Sequence, residues 1–192
     1  MSTGATPDGV GRWRLTADEV RGRAGRLRVL LTDVDGTLTD GGVYVSADGE
    51  ALKRFSLRDG MGVERLRQVG VETVFVTRER SPIVTRRAEK LGVRAFEGVR
   101  DKAEALPEIR AALALAPDEG GLAYVGDDVN DAGIMALVAP RGLVGAPGDG
   151  FSEILEQAHY VTRAVGGHGA FREFAEALRI QVIAARGEGT KG

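Results

Sequence analysis

The chain has 192 residues, a net charge of −2 and an apolar share of 43%, enough for one domain with a real core. The near-neutral charge argues against nucleic acid as a main partner. The absence of cysteine excludes disulfides, thiol nucleophiles and Cys-based zinc sites, and two histidines are too few for a His-rich metal centre. No apolar stretch is long enough to span a membrane, and the N-terminus lacks a signal-peptide h-region, so a cytoplasmic protein is expected.

Residues 1 to about 12 are rich in Gly, Ser, Thr and Pro and are expected to be disordered. Thr16 and Glu19 have capping-box spacing for a short helix; residues 1–25 are taken as an N-terminal extension. Strands and helices then alternate across a single domain over 26–185. The sequence predicts strands at Arg28–Thr32, Thr73–Thr77, Arg94–Phe96, Leu122–Val125, Gly142–Val144 and His159–Val161. Helices are predicted at Met61–Gln68, from Ser81-Pro82 to Leu91, from Asp101 to about Leu115, at Asp131–Val138 and from Phe171 to about Ala185. Single helices between strands imply βαβ units, hence an α/β fold: a three-layer, Rossmann-like parallel sheet. One segment, 41–56, breaks the alternation. Asp48-Gly49 between two strand-like runs predicts a β-hairpin that projects as a flap. A Gly-rich tail, 186–192, closes the chain.

The first core strand ends in Asp33-Val34-Asp35-Gly36-Thr37. In extended backbone, side chains two residues apart point the same way, so two carboxylates converge beside a glycine. Ligands of doubly wound sheets bind at the carboxyl ends of the strands. There the sequence places Asp33 and Asp35, then Thr77, then Gly126-Asp127-Asp128-Val129-Asn130-Asp131, with Asp101-Lys102 opening a helix nearby. This set suits phosphoryl transfer. Mg2+ held by Asp33 and Asp127 would offset the repulsion between carboxylates and a phosphate ester. Lys102 adds fixed positive charge, and Thr77 can donate a hydrogen bond to a phosphoryl oxygen. Asp33 is placed to attack phosphorus, and Asp35 to protonate the leaving alkoxide and then activate water.

These residues resemble the haloacid dehalogenase-like phosphohydrolases. Asp33, Asp35 and Thr37 match the Asp-x-Asp-x-Thr motif, Thr77 the second-motif threonine, Lys102 the lysine, and Asp127 and Asp131 the acidic motif. The likeness over residues 26 to 180 is closer to a capless branch, the octulosonate 8-phosphate and nonulosonate 9-phosphate phosphatases. It is carried by Asp33 to Gly42, Lys53 to Gly60, Arg86 to Gly92, Gly126 to Asp131 and Gly166 to Glu173. The resemblance implies an aspartyl-phosphate mechanism. It also implies Mg2+ on the Asp33 and Asp127 carboxylates and the Asp35 backbone carbonyl, with Thr37, Asp128, Asn130 and Asp131 in support. It further implies a homotetramer in which the hairpins associate and a neighbour's C-terminal segment closes the site. The short spacings from Asp40 to Thr77 and from Lys102 to Asp127 leave no room for a cap domain, which agrees.

For the substrate, the octulosonate branch reads Thr-Gly-Arg at its second motif and the nonulosonate branch Thr-Gly-Glu with a later Lys. Here Thr77-Arg78-Glu79 is followed by Arg87 and Lys90, one turn apart. Glu79 and Lys90 favour a nonulosonate phosphate. Glu79 is open to two uses, pairing with Lys90 or binding sugar hydroxyls, while Arg87 and Lys90 suit a carboxylate; a solvated charged helix face is the plain alternative. Arg78 stands where the family has glycine, and His168 where it has Arg or Glu. Ser56, Arg58, Asp59, Gly60, Arg78, Glu79, Arg87, Lys90 and His168 form the expected substrate-binding set. Two other readings are an octulosonate 8-phosphate phosphatase and a non-catalytic partner of a sugar cytidylyltransferase. A phospho-receiver domain is disfavoured, because its acceptor aspartate follows a later strand.

Overall fold

A computed structural model describes residues 11–116 and 120–188. Of the lead expected to be disordered, 1 to about 12, residues 1–10 lie outside the described residues, as do the last residues of the tail, 189–192, whereas Gly11 is bonded to Val161 O. In chain order the elements are α1 (Ala17–Gly25), β1 (Val29–Thr32), β2 (Tyr44–Ser46), β3 (Gly49–Leu52), α2 (Leu57–Arg67), β4 (Glu72–Thr77), α3 (Pro82–Leu91) and β5 (Arg94–Glu97). They continue with α4 (Lys102–Ala112), β6 (Leu122–Val125), α5 (Val129–Val138), β7 (Leu143–Ala146), α6 (Ser152–Gln157), β8 (Tyr160–Val161) and α7 (Ala170–Glu188).

Six strands form one parallel sheet in the order β5-β4-β1-β6-β7-β8. The chain builds outward from β1 to β5, then returns to β6 on the other side of β1. That reversal lies between β1 and β6, the switch point at whose strand carboxyl ends ligands of such sheets bind. β1 is buried along its whole length, and its side chains alternate between two cores. Leu30 joins Phe75, Leu66, Phe171, Phe174 and Leu178 under α1, α2, α3 and α7. Leu31 joins Tyr124, Ile109, Ile134, Met135 and Ile154 under α4, α5 and α6. The three-layer expectation holds.

The N-terminal segment is folded onto this domain. The Thr16–Glu19 capping box forms, and α1 buries Val20 and Ala24. Ahead of it, Trp13 bridges antiparallel to Tyr160 of β8 and stacks with Tyr160 and Phe174 at centroid distances of 5.0 and 6.0 Å.

Several boundaries differ from the sequence expectation. Helix α2 begins at Leu57 with Ser56 as N-cap, one turn before the predicted Met61. Gly60 and Gly62 weaken the local helical signal there, but packing needs them. A β-carbon on Gly62 would sit 3.1 Å from the Phe171 ring of α7, and one on Gly60 2.9 Å from Arg87. The six-residue α6 had no periodic pattern long enough to announce it. α7 extends to Glu188, into the predicted tail.

The hairpin β2–β3 forms as expected, but its turn residues are Ala47 and Asp48, with Ser46 paired to Gly49. Gly49, at φ +111°, follows the turn rather than sitting inside it. Between β1 and β4 the chain holds only this hairpin and α2, so the flap is the sole insertion there.

Candidate active site

Each catalytic candidate is set by the end of a strand or the start of a helix. Asp33 follows β1, and its N–H donates to Val125 O at 2.9 Å, which prolongs the pairing of β1 with β6. Asp127 stands two residues past the end of β6. The loop between these aspartates must run close to both, and Gly36 makes that possible. At φ +92° it has a conformation that L side chains rarely adopt, and a β-carbon there would lie 2.0 Å from Asp127 Oδ2. Thr37 donates its hydroxyl to Asp127 Oδ1 at 3.2 Å.

Lys102, the first residue of α4, is 1% exposed. Asp101 caps α4, accepting from the N–H groups of Ala103 and Glu104, which fixes where the lysine leaves the helix. The Lys102 ammonium bonds Asp33 Oδ1 and, at 2.6 Å, Asp131 Oδ1. Asp131 is fully committed. Oδ1 also accepts from the Tyr124 hydroxyl at 2.5 Å, and Oδ2 accepts from the N–H groups of Asp127 and Asp128 at 2.9 and 3.2 Å. Asp131 therefore fixes Lys102 and the Asp127 loop. Asp128 is the N-cap of α5 and shares a capping box with Asp131. Asn130 lies in the first turn of that helix.

Oxygens of Asp33, Asp127 and Asp131 come within 4.8 Å of one another. Burial, only partly offset by Lys102 and reinforced by Asp131 and Asp127, holds the Asp33 carboxyl well above the usual range. Burial, followed by the charge of Asp131, pushes Asp127 up to about 7. Burial alone would lower the Lys102 pKa, but Asp33 and Asp131 override it and raise the value. Three carboxylates thus share one ammonium. The surplus negative charge fits a hard divalent cation, with Asp33 and Asp127 offering the oxygens that Asp131 cannot.

Asp35 is partly exposed. Its Oδ1 meets Lys53 Nζ at 2.6 Å, and its Oδ2 is buried without a hydrogen-bond partner among the described residues. Lys53, at the base of the flap, opens one of the stretches that carry the family likeness, but it is not among the expected site residues. Tyr124 was also missed, because inside β6 it reads as an ordinary core residue. Thr77 is buried at the end of β4, beside β1, and its Oγ1 accepts from Glu79 N–H at 3.2 Å.

The expected substrate-binding residues lie in several places around α2, α3 and α7. Ser56 caps α2, accepting from Arg58 N–H. Asp59 is buried and accepts from Arg172 N–H at 2.9 Å, tying α2 to α7. Gly60 makes room for Arg87, which donates to Ser56 O at 3.0 Å and lies 5.4 Å from the centre of the Phe55 ring. These four join α2, α3 and α7. Arg58 and His168 line one open depression beside α7, of about 710 Å³. Arg78 and Glu79 line another, of about 550 Å³, with Arg80, Gly98 and Arg100. Lys90 is exposed on α3, and no ion pair joins it to Glu79 among the described residues. Ser81 stands at the N-cap of α3 as predicted, but its hydroxyl bonds Glu50 of the flap and makes no cap bond.

A doubly wound sheet with an aspartate–lysine cluster at its switch point defines a phosphohydrolase-type α/β protein. No family model matches the chain. It is 39% identical over 163 residues to the 3-deoxy-D-manno-octulosonate 8-phosphate phosphatase of Yersinia pestis, covering 84% of each chain. The solved structure of that enzyme from Yersinia pestis superposes with a TM-score of 0.79, covering 88% of this chain and 90% of its own. The enzyme from Moraxella catarrhalis, solved with magnesium, phosphate and KDO, gives a TM-score of 0.77 at 29% identity, covering 90% and 97%. The chain belongs to the haloacid dehalogenase-like superfamily, in its capless sugar-acid phosphatase branch, and is a phosphoric monoester hydrolase. No helix among the described residues is long and apolar enough to cross a membrane.

Proposed function

We propose that this chain is a magnesium-dependent phosphatase that hydrolyses the phosphate monoester of a 2-keto-3-deoxy sugar acid through an aspartyl-phosphate on Asp33. The convergence of Asp33, Asp127 and Lys102 at the β1–β6 crevice carries this reading. Asp33 and Asp127 would hold the cation, which supplies charge neutralisation for the phosphoryl group when bound. Lys102 keeps one oxygen of Asp33 fixed, so the other attacks phosphorus. As the new O–P bond forms and the ester P–O bond breaks, Asp35 gives its proton to the departing alkoxide. Its carboxylate then takes a proton from the water that opens the aspartyl-phosphate, and inorganic phosphate leaves.

A nonulosonate 9-phosphate is the favoured substrate. Glu79 and Lys90 support it, both exposed near the carboxyl end of β4 and on α3. Arg87, which donates to Ser56 O at the start of α2, joins Lys90 as a cation suited to the carboxylate of the sugar acid. A second reading, octulosonate 8-phosphate, is supported by the named activity of the Yersinia pestis and Moraxella catarrhalis relatives.

The flap carries Tyr44, Val45 and Leu52 at 67, 75 and 62% exposure, with Leu57 beside it at 79%. Exposed apolar side chains concentrated on one hairpin suit an interaction site, and they support a homotetramer in which a neighbouring copy closes each site. A cytoplasmic enzyme without nucleic-acid partners completes the reading.

The test is phosphate release from a nonulosonate 9-phosphate, octulosonate 8-phosphate and 4-nitrophenyl phosphate, with and without Mg2+. Release from the nonulosonate ester well above the other two is expected. Preference for octulosonate 8-phosphate would transfer the assignment to the second reading, and no Mg2+-dependent release from any ester would remove it.

A further inference from the structure

Lys53 is out of character with its surroundings. Residues 41–48 of the flap are exposed throughout, yet the Lys53 side chain is 1% exposed. A buried ammonium is costly unless paired. Lys53 is paired twice, with Asp35 Oδ1 at 2.6 Å and Glu50 Oε2 at 3.3 Å. Glu50 in turn accepts from the Ser81 hydroxyl. The series Asp35–Lys53–Glu50–Ser81 therefore runs from the catalytic crevice, through the base of the flap, to the start of α3.

The effect on Asp35 is specific. Lys53 grips Oδ1, while Oδ2 is buried and has no hydrogen-bond partner among the described residues. An oxygen left unpaired in a buried place is costly, which is consistent with its being kept for a reaction partner. We propose that Lys53 is a positioning residue: by holding Oδ1 it aims Oδ2 of Asp35 at the oxygen of the departing alcohol. The proposal rests on the reading of Asp35 as proton donor. The proton passes from Asp35 Oδ2 to the ester oxygen as the P–O bond breaks, and Lys53 keeps its own protons throughout.

A lysine that only anchored the flap would matter equally for every ester. A lysine that aims a proton donor matters when the leaving group is a strongly basic alkoxide and hardly at all when it is a stabilised phenolate. The experiment measures kcat/KM for benzyl phosphate and 4-nitrophenyl phosphate, two esters of similar shape, in wild type, Lys53→Met, Lys53→Arg and Asp35→Asn. Because kcat/KM stops at the first irreversible step, it excludes the later attack of water.

Lys53→Met is expected to lose on the order of a hundredfold on benzyl phosphate and to keep most of its rate on 4-nitrophenyl phosphate, which also shows that the variant is folded. Lys53→Arg should recover part of the loss. If Asp35→Asn is selective for benzyl phosphate but Lys53→Met slows both esters alike or neither, the positioning role is overturned and the acid role of Asp35 stands. If Asp35→Asn itself shows no selectivity, the acid role falls and the proposal with it.

Discussion

Gly36 and Asp127 are locked together: the space a β-carbon on Gly36 would need is already held by Asp127 Oδ2, at 2.0 Å. The positive φ of Gly36 adds backbone strain to any substitution. Gly36→Ala should displace the Asp127 carboxylate and cost about a hundredfold in kcat/KM. Isothermal titration with Mg2+ should show weakened binding in the same variant. Unchanged Mg2+ affinity would mean that the loop relaxes without moving the carboxylate.

Lys102 is the one cation among the described residues that reaches both Asp33 and Asp131. Lys102→Met leaves two buried carboxylates without their partner, a change that costs about 3–5 kcal/mol. Urea unfolding of the metal-free protein should show the loss as a lower midpoint with an unchanged slope. Turnover at saturating Mg2+ should fall by about 10²–10³-fold, since the charge facing the phosphoryl group is gone.

The raised pKa of Asp127 makes a prediction with a definite sign. In the metal-free fold this group titrates near 7 instead of 3.8, so between those values the folded chain holds a proton that the unfolded chain has released. Its contribution to stability is full below pH 3.8 and is lost as pH rises through about 7. A bound divalent cation takes the place of that proton. Mg2+ should therefore raise Tm by a few degrees well above pH 7 and hardly at all well below it, as read by scanning calorimetry. Asp127→Asn should flatten both the pH dependence and the Mg2+ response.

The exposed apolar flap predicts concentration-dependent assembly. Val45, 75% exposed on β2, makes no core contact, so Val45→Asp should leave the monomer fold intact. Sedimentation velocity should show smaller particles for this variant than for wild type. If a neighbour closes each site, kcat/KM on the sugar-acid ester should fall in parallel, while 4-nitrophenyl phosphate is less affected. Equal sedimentation of the two proteins would remove the flap from the interface.

The parts of the site that were legible in sequence are those fixed locally. Asp33, Asp35 and Asp127 lie just past strand ends, and Lys102 opens a helix behind an Asp cap, so strand and cap signals alone place them in one crevice. What depended on distant packing was not legible. The partners of Arg87, Ser56 O and the Phe55 ring, lie about thirty residues away in the chain, beyond the reach of a local rule. The start of α2 is hidden in sequence because Gly60 and Gly62 lower helix propensity for the sake of close contact with α3 and α7. Ser81 occupies the N-cap that Ser81-Pro82 announces, yet its hydroxyl donates to Glu50 of the flap, a partner no local rule supplies.

The antiparallel bridge from Trp13 to Tyr160 has a consequence for the whole molecule. β8 is the outermost strand on its side, and an uncovered row of amides and carbonyls there would invite strands of other molecules. Gly11 N–H donates to Val161 O at 2.7 Å and Arg14 N–H to His159 O at 2.8 Å, so the chain's own beginning occupies that margin. Residues 11–14 thus act as a selvedge that finishes the sheet on one side.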